Sequence, residues 1–215
     1  MIQLIAFDLD GTIADTIPIC IDAFREAVSP YFGRELSEKE IIQTFGLNEE
    51  GMIKKVIDKD WKNALEDFYT QYQKMHVRCP DPFEGAKELI LQLKAHHLIV
   101  GLITGKGERS CRITLQQFGM ENYFDFIETG SPDKNIKSEA LINCRNQYHL
   151  SSDELVYIGD TVSDILSCKQ AGIQCLSAGW ATSAESDQLQ KYNKGYVFQT
   201  IDSLKEYIFH KIQIG

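Results

Sequence analysis

The sequence predicts an α/β fold: a Rossmann-like parallel sheet with helices on both faces, carrying a small four-helix insertion after its first strand. Three observations predict it. From about residue 82 onward, apolar runs of strand length alternate with amphipathic stretches of helix length. One further apolar run, Gln3 to Phe7, stands alone near the N-terminus. Between the two, roughly Asp15 to Arg78 has helical periodicity and no convincing strand.

Gln3 to Phe7 is β-forming with no helical period, as expected of a strand buried on both faces. After Thr12 the spacing of Ile17, Ile21, Phe24 and Val28 predicts a first helix. Ser37 followed by Glu40 is a capping box that opens a short second helix before Gly46. Met52, Ile53, Val56 and Ile57 suggest a third helix, and Trp61, Leu65, Phe68, Tyr72 and Met75 lay a stripe along a fourth. Four such helices can bury their stripes against one another, and the Tyr69–Tyr72–Met75 face reads as part of that core. Pro80 and Pro82 end the region. Helix and strand then alternate: helix Glu84 to Ala95, strand Leu98 to Thr104, helix Glu108 to Phe118, strand Phe124 to Thr129 and helix Lys137 to Tyr148. Strand Glu154 to Gly159, helix Asp164 to Ala171, strand Gln174 to Ser177, a strand near Tyr196 to Phe198 and a helix from Ile201 to about Ile212 complete the chain. The expected domains are therefore an α/β core of residues 1–14 and 82–215 and a helical unit of residues 15–81. Hinges are expected near Thr16 and Pro80 to Pro82.

The 215 residues suit one large domain or a core with a smaller unit. A net charge of −9 and the lack of any basic run argue against nucleic acid as a partner. Small anionic substrates remain compatible, because a few local cations outweigh a modest global charge. No Lys or Arg precedes the first apolar stretch, unlike a signal peptide, and no segment nears the ~20 apolar residues of a membrane span. A cytoplasmic protein is expected, monomeric or homodimeric. The six cysteines are scattered without Cys-x-x-Cys spacing, so reduced and mostly buried thiols are expected rather than disulfides or zinc.

In open α/β sheets ligands bind outside the carboxyl ends of the strands. The first strand ends in Asp8-Leu9-Asp10-Gly11-Thr12, the next core strand in Thr104-Gly105-Lys106, and a later one in Gly159-Asp160-Thr161-Val162-Ser163-Asp164. On an extended chain Asp8 and Asp10 share a face while Leu9 turns away. Paired acids closing a buried strand are costly unless a cation compensates them. A held carboxylate can attack phosphorus to give an acyl phosphate. Mg²⁺ takes one or two carboxylates plus waters and substrate phosphate, which places Asp8 and Asp160 as ligands with Asp164 in support. Two nearby carboxylates drive one pKa upward, which suits Asp10 to protonate a leaving group. Thr104 can donate to a phosphate oxygen, and a lysine at 134 or 137 can neutralise nucleophile and phosphate together.

Asp8-Leu9-Asp10-Gly11-Thr12, Thr104, a central lysine and Gly159-Asp160-x-x-x-Asp164 resemble, in order, the four motifs of the haloacid dehalogenase-like superfamily. Leu102 to Lys106, Tyr157 to Thr161 and Gln170 to Ile173 resemble its phosphoglycolate-phosphatase-like branch, whose helical cap follows the first motif. The resemblance covers nearly the whole chain. It implies Asp8 as nucleophile and Asp10 as acid/base, with the Asp10 backbone carbonyl and Asp160 joining Asp8 around Mg²⁺. Where the branch often has Lys-Pro-x-Pro, this chain reads Lys134-Asn135-Ile136-Lys137-Ser138-Glu139-Ala140-Leu141. Some relatives have Lys followed by a small residue, Glu and two aliphatics, which favours Lys137 over Lys134.

The expected activity is hydrolysis of a small phosphorylated metabolite, a phosphoglycolate-like monoester or pyrophosphate, through an aspartyl-phosphate. A mutase of the β-phosphoglucomutase kind would use the same residues, though Thr12 leans toward hydrolysis. A non-catalytic regulator phosphorylated at Asp8 would be shorter and lack the helices. Among other residues, Lys106 and Arg109 suit either substrate contact or a solvated helix start. Gly46-Leu47-Asn48 is a weak specificity candidate, Trp180 a packing residue, and the five histidines are expected at the surface or in linkers.

Overall fold

The computed structural model describes residues 1–213. Strand β1 (Leu4–Phe7) is followed by helices α1 (Ile17–Phe32), α2 (Glu38–Ile42), α3 (Glu49–Val56) and α4 (Trp61–Met75), and a 3₁₀ turn at His76–Arg78. The chain continues as α5 (Ala86–Ala95), β2 (Ile99–Ile103), α6 (Glu108–Phe118), β3 (Phe126–Glu128), α7 (Lys137–Gln147) and β4 (Leu155–Gly159). It closes with α8 (Val162–Ala171), β5 (Gln174–Ala178), α9 (Ser186–Tyr192), β6 (Val197–Phe198) and α10 (Ile201–Gln213).

The six strands form one parallel sheet in the order β3-β2-β1-β4-β5-β6. β1 is central because all four of its residues are buried and apolar, so both faces can be covered. Its side chains alternate between two cores. Ile5 and Phe7 join Val100, Leu102, Val156 and Ile158 on one face; Leu4 and Ala6 join Ile103, Leu155 and Tyr157 on the other. The first core runs on into α1 and α4 through Phe24, Phe68 and Tyr72, so the inserted helices share a hydrophobic core with the sheet.

The elements fall close to their expected places, with two differences. β3 is shorter than expected, at Phe126–Glu128, since it lies on the sheet edge and only Phe126 of its three residues packs inward. Helix α9 was not foreseen: it is seven residues long, mostly polar, and buries only Leu189. The Ser37–Glu40 capping box forms at α2 as expected. All six cysteines are free and buried. No described helix is long and apolar enough to cross a membrane.

Candidate active site

The strand order changes direction at β1, which has β2 on one side and β4 on the other. Phe7 aligns with both Leu102 and Ile158, so Asp8, Thr104 and Asp160 all leave the sheet at the same carboxyl edge. There the chain after Asp8 turns tightly. Gly11 has φ 73°, and Ile13 and Ala14 amides donate back to the Leu9 carbonyl at 2.9 and 3.2 Å. Leu9 is buried in the core while Asp8 and Asp10 line one cavity of about 230 Å³. A Cβ on Gly11 would lie 2.1 Å from Asp160 Oδ2, so glycine here lets the first loop approach the third acid. Thr12 Oγ1 donates to Asp160 Oδ1 at 3.2 Å and fixes that approach.

Lys137, the first residue of α7, projects its ammonium between Asp8 Oδ2 at 2.5 Å and Asp164 Oδ1 at 2.6 Å. Burial works against this ammonium, yet the Asp164 and Asp8 charges outweigh it and hold its pKa above the ordinary value. Burial pushes the Asp8 carboxyl up to about 6 against the pull of Lys137, with Asp164 and Asp10 adding to the rise. Asp160 is driven well above the carboxylate range by burial and then by the Asp164 and Asp8 charges. Asp164 also closes a capping box at the start of α8, accepting from the Thr161 amide at 3.0 Å and its hydroxyl at 2.6 Å. It thus both caps α8 and shares Lys137 with Asp8.

A second buried lysine lies on the other side of Asp10. Lys106 Nζ is 3.2 Å from Asp10 Oδ1, 3.9 Å from Glu49 Oε1 and 4.5 Å above the Tyr72 ring. Burial opposes its charge, and Asp10 first, with Tyr72, Cys20 and Glu49 behind it, overcomes that penalty, so its pKa stands well above the lysine value. Thr16 Oγ1 donates to Asp10 Oδ1 as well. The solvated helix start considered for Lys106 is therefore corrected: its side chain is 1% exposed, because two acids and an aromatic face surround it. Glu49 was missed. In sequence it reads as one of two acids in the first turn of α3, and nothing local marks its partners.

The remaining expected residues divide. Lys134 is exposed and pairs with Glu139, leaving Lys137 at the acids. Thr104 is fully buried at the end of β2, where its Oγ1 accepts from the Lys106 amide at 3.2 Å, and it does not line the cavity. Gly46 and Leu47 line it, whereas Asn48 caps α3 and donates to the Gly130 carbonyl at 3.2 Å. Arg109 is exposed and pairs with Glu66. Trp180 donates its indole N–H to the Thr12 carbonyl at 3.0 Å, so it braces the first loop. His76 departs from expectation: it is 1% exposed, with Nδ1 3.0 Å from the Cys79 carbonyl and Nε2 3.0 Å from Thr114 Oγ1.

Asp8, Asp160 and Asp164 each offer a carboxylate oxygen, all within 4.8 Å of one another. Buried acids in excess of their lysine, with only oxygen donors, fit a hard divalent cation. Asp8 and Asp160 face the cavity; Asp164 is fully buried with both oxygens already engaged.

A model of the haloacid dehalogenase-like hydrolase family matches residues 5–178, and the chain belongs to that family. It is 24% identical over 209 residues to pyrophosphatase PpaX of Halalkalibacterium halodurans, covering 96% of this chain and 97% of that one. It is 28% identical over 191 residues to a phosphoglycolate phosphatase of Pseudomonas fluorescens, covering 83% of this chain and 70% of that one. Its fold matches a haloacid dehalogenase-like hydrolase of Streptococcus pneumoniae with a TM-score of 0.75 at 23% identity, over 96% and 98% of the two chains.

Proposed function

We propose that the protein is a Mg²⁺-dependent phosphatase that cleaves a small phosphorylated metabolite through an aspartyl-phosphate on Asp8. The observation that carries this reading is the buried Asp8–Lys137–Asp164 cluster beside Asp160, at the carboxyl edge of β1 and β4. Asp8 and Asp160, with the Asp10 backbone carbonyl, would hold the cation. When bound, Mg²⁺ supplies charge neutralisation of the phosphoryl oxygens and draws the raised carboxyl pKa values down.

Asp8 Oδ attacks phosphorus, the P–O bond to the alcohol breaks, and the departing oxygen takes a proton from Asp10. Asp10, now a carboxylate, removes a proton from water. That oxygen attacks the acyl phosphate, releasing inorganic phosphate and the Asp8 carboxylate. Asp10 suits this shuttle: its side chain is 24% exposed, the most accessible of the site's acids, and its Oδ1 is held by Thr16 and Lys106. Lys137 neutralises Asp8 and the incoming phosphoryl oxygens. Thr104 acts from behind, holding the turn that carries Lys106 rather than touching the phosphate in this arrangement. Residues 15–81 act as a cap over the core of residues 1–14 and 82–215, excluding water and selecting the substrate. Pyrophosphate and phosphoglycolate, the compounds in the relatives' names, are the first to test. A mutase would instead convert β-glucose 1-phosphate to the 6-phosphate.

Phosphate release from a panel of monoesters and pyrophosphate, with and without Mg²⁺, tests the proposal, with Asp8→Asn as the blank. Asn keeps the shape of Asp8, so the fold should persist while turnover falls by at least ~10³-fold. Turnover by Asp8→Asn within tenfold of the parent would sink the mechanism.

A further inference from the structure

We propose that the leaving-group side of the cavity takes an uncharged, partly apolar alcohol, and that Glu49 enforces this by occupying both features that would otherwise bind a second anion. The inference rests on the phosphatase reading above and narrows its substrate. A substrate such as pyrophosphate or phosphoglycolate carries one anionic group to the nucleophile and a second on the part that leaves. The second needs a cation or a set of free N–H donors.

Two features near the cavity could have supplied these, the N-terminus of α6 and Lys106. The start of α6 has Gly107 at its N-cap and no side chain of its own to cap it. Glu49, reaching over from α3, takes that place. Its Oε2 accepts from the Gly107 amide at 2.9 Å and its Oε1 from Ser110 Oγ at 2.5 Å. A Cβ at 107 would lie 2.5 Å from Glu49 Oε2, so the glycine leaves the room this carboxylate uses. Helix N-termini attract anions, and here the anion is internal. The same carboxylate, 2% exposed as a residue, sits 3.9 Å from Lys106 Nζ, which also faces Asp10 at 3.2 Å. The other lysine at the cavity, Lys137, is held by Asp8 and Asp164.

The charge balance points the same way. Asp8, Asp10, Glu49 and Asp160 line the cavity with only Lys106 and Lys137 against them. A divalent cation only brings these groups to balance, so once the dianionic phosphoryl group is bound no counter-charge is left for a further anion on the leaving group. Apart from Glu49, the wall contributed by the inserted helices is apolar, with Ile17, Cys20, Phe45, Leu47 and Met52. At about 230 Å³ the space is below the ~300–1,000 Å³ of pockets for drug-sized ligands, so the alcohol is small. A cationic alcohol gains little, because both oxygens of Glu49 already accept hydrogen bonds.

The test compares kcat/KM, with Mg²⁺, for n-propyl phosphate, 2-phosphoglycolate, pyrophosphate and phosphoethanolamine. Propyl phosphate and phosphoethanolamine have nearly the same shape and differ in the terminal charge, while phosphoglycolate is slightly larger and ends in a carboxylate. The propyl ester should exceed each of the others by at least ~tenfold. Glu49→Gln removes one of the two carboxylates at Lys106 and should raise kcat/KM for phosphoglycolate relative to the propyl ester by about tenfold. A purely structural role for Glu49 would lower all four substrates alike, and that result overturns the assignment of Glu49. Preference by the parent for phosphoglycolate, pyrophosphate or phosphoethanolamine overturns the substrate class, and this ranking needs no variant to fold. Absence of phosphate release from every substrate, or undiminished release by Asp8→Asn, would instead remove the phosphatase reading and the proposal with it.

Discussion

Lys137 and Lys106 are two buried ammonium groups, each held between two carboxylates, on opposite sides of the Asp8–Leu9–Asp10 turn. Their partners differ. Both acids at Lys137 come from the sheet core, Asp8 after β1 and Asp164 in α8, and both are nearly sealed from water. Lys106 pairs with Asp10, which is partly open, and with Glu49, which belongs to the inserted helices. The first cluster is thus a fixed part of the core. The second exists only while α3 lies against α6. In the proposed reaction the same chemistry would serve reactivity in one place and, through a contact across the insertion, substrate selection in the other.

Removing each lysine should expose this difference. Lys137→Met leaves Asp8 and Asp164 buried without a cation, which costs about 3–5 kcal/mol of stability. The loss should appear as a lower urea midpoint at unchanged slope. Turnover should fall about 10²–10³-fold, as for loss of a charge-stabilising donor. An Lys137→Met protein as active as the parent would show that the core cluster is structural only. Lys106→Met should cost less, about 1–3 kcal/mol. Asp10 can recruit water, and Glu49 keeps its bonds to Gly107 and Ser110. If the two variants lose equal stability, the contrast drawn here fails.

The core cluster was legible from sequence and Glu49, the acid that completes the second, was not, for a physical reason. Asp8, Asp10 and Asp160 stand at the ends of continuous apolar runs, and a polar residue closing a buried strand is conspicuous. Lys137 opens a helix at the same edge. Glu49 follows Asn48, the N-cap of α3, so its charge is fully accounted for by its own helix. Its actual partners, Gly107 and Ser110, are 58 and 61 residues away, and no local pattern encodes a contact across an insertion. Thr104 was located correctly by its strand, but its hydroxyl direction depends on the turn into Lys106. Helix α9 escaped because one buried leucine in seven residues gives no periodicity.

His76 offers a milder test at the same seam between insertion and core. A carbonyl can only accept, so Nδ1–H donates to the Cys79 carbonyl and the bare Nε2 accepts from the Thr114 hydroxyl. Thr114 Oγ1 in turn accepts from the Tyr72 hydroxyl at 2.8 Å, which ties α4 to α6. A proton on Nε2 would face the Thr114 hydroxyl hydrogen and force the chain of bonds to reverse. Burial also disfavours the imidazolium and, against the pull of the Cys79 carbonyl, holds the His76 pKa below the usual 6.5. The folded state therefore resists a proton that the unfolded chain accepts. The stability His76 contributes is complete above pH 6.5 and is lost as pH falls from there through the folded pKa. Over that window the parent should lose up to about 1.4 kcal/mol per pH unit relative to His76→Gln, which cannot titrate. Urea midpoints of the two proteins between pH 8 and 5 measure it. The variant should start lower, having lost the bond to Cys79, and converge on the parent as the solution is acidified. Parallel curves would mean that His76 is protonated without cost, and that the seam at α6 is looser than the Lys106–Glu49 contact requires.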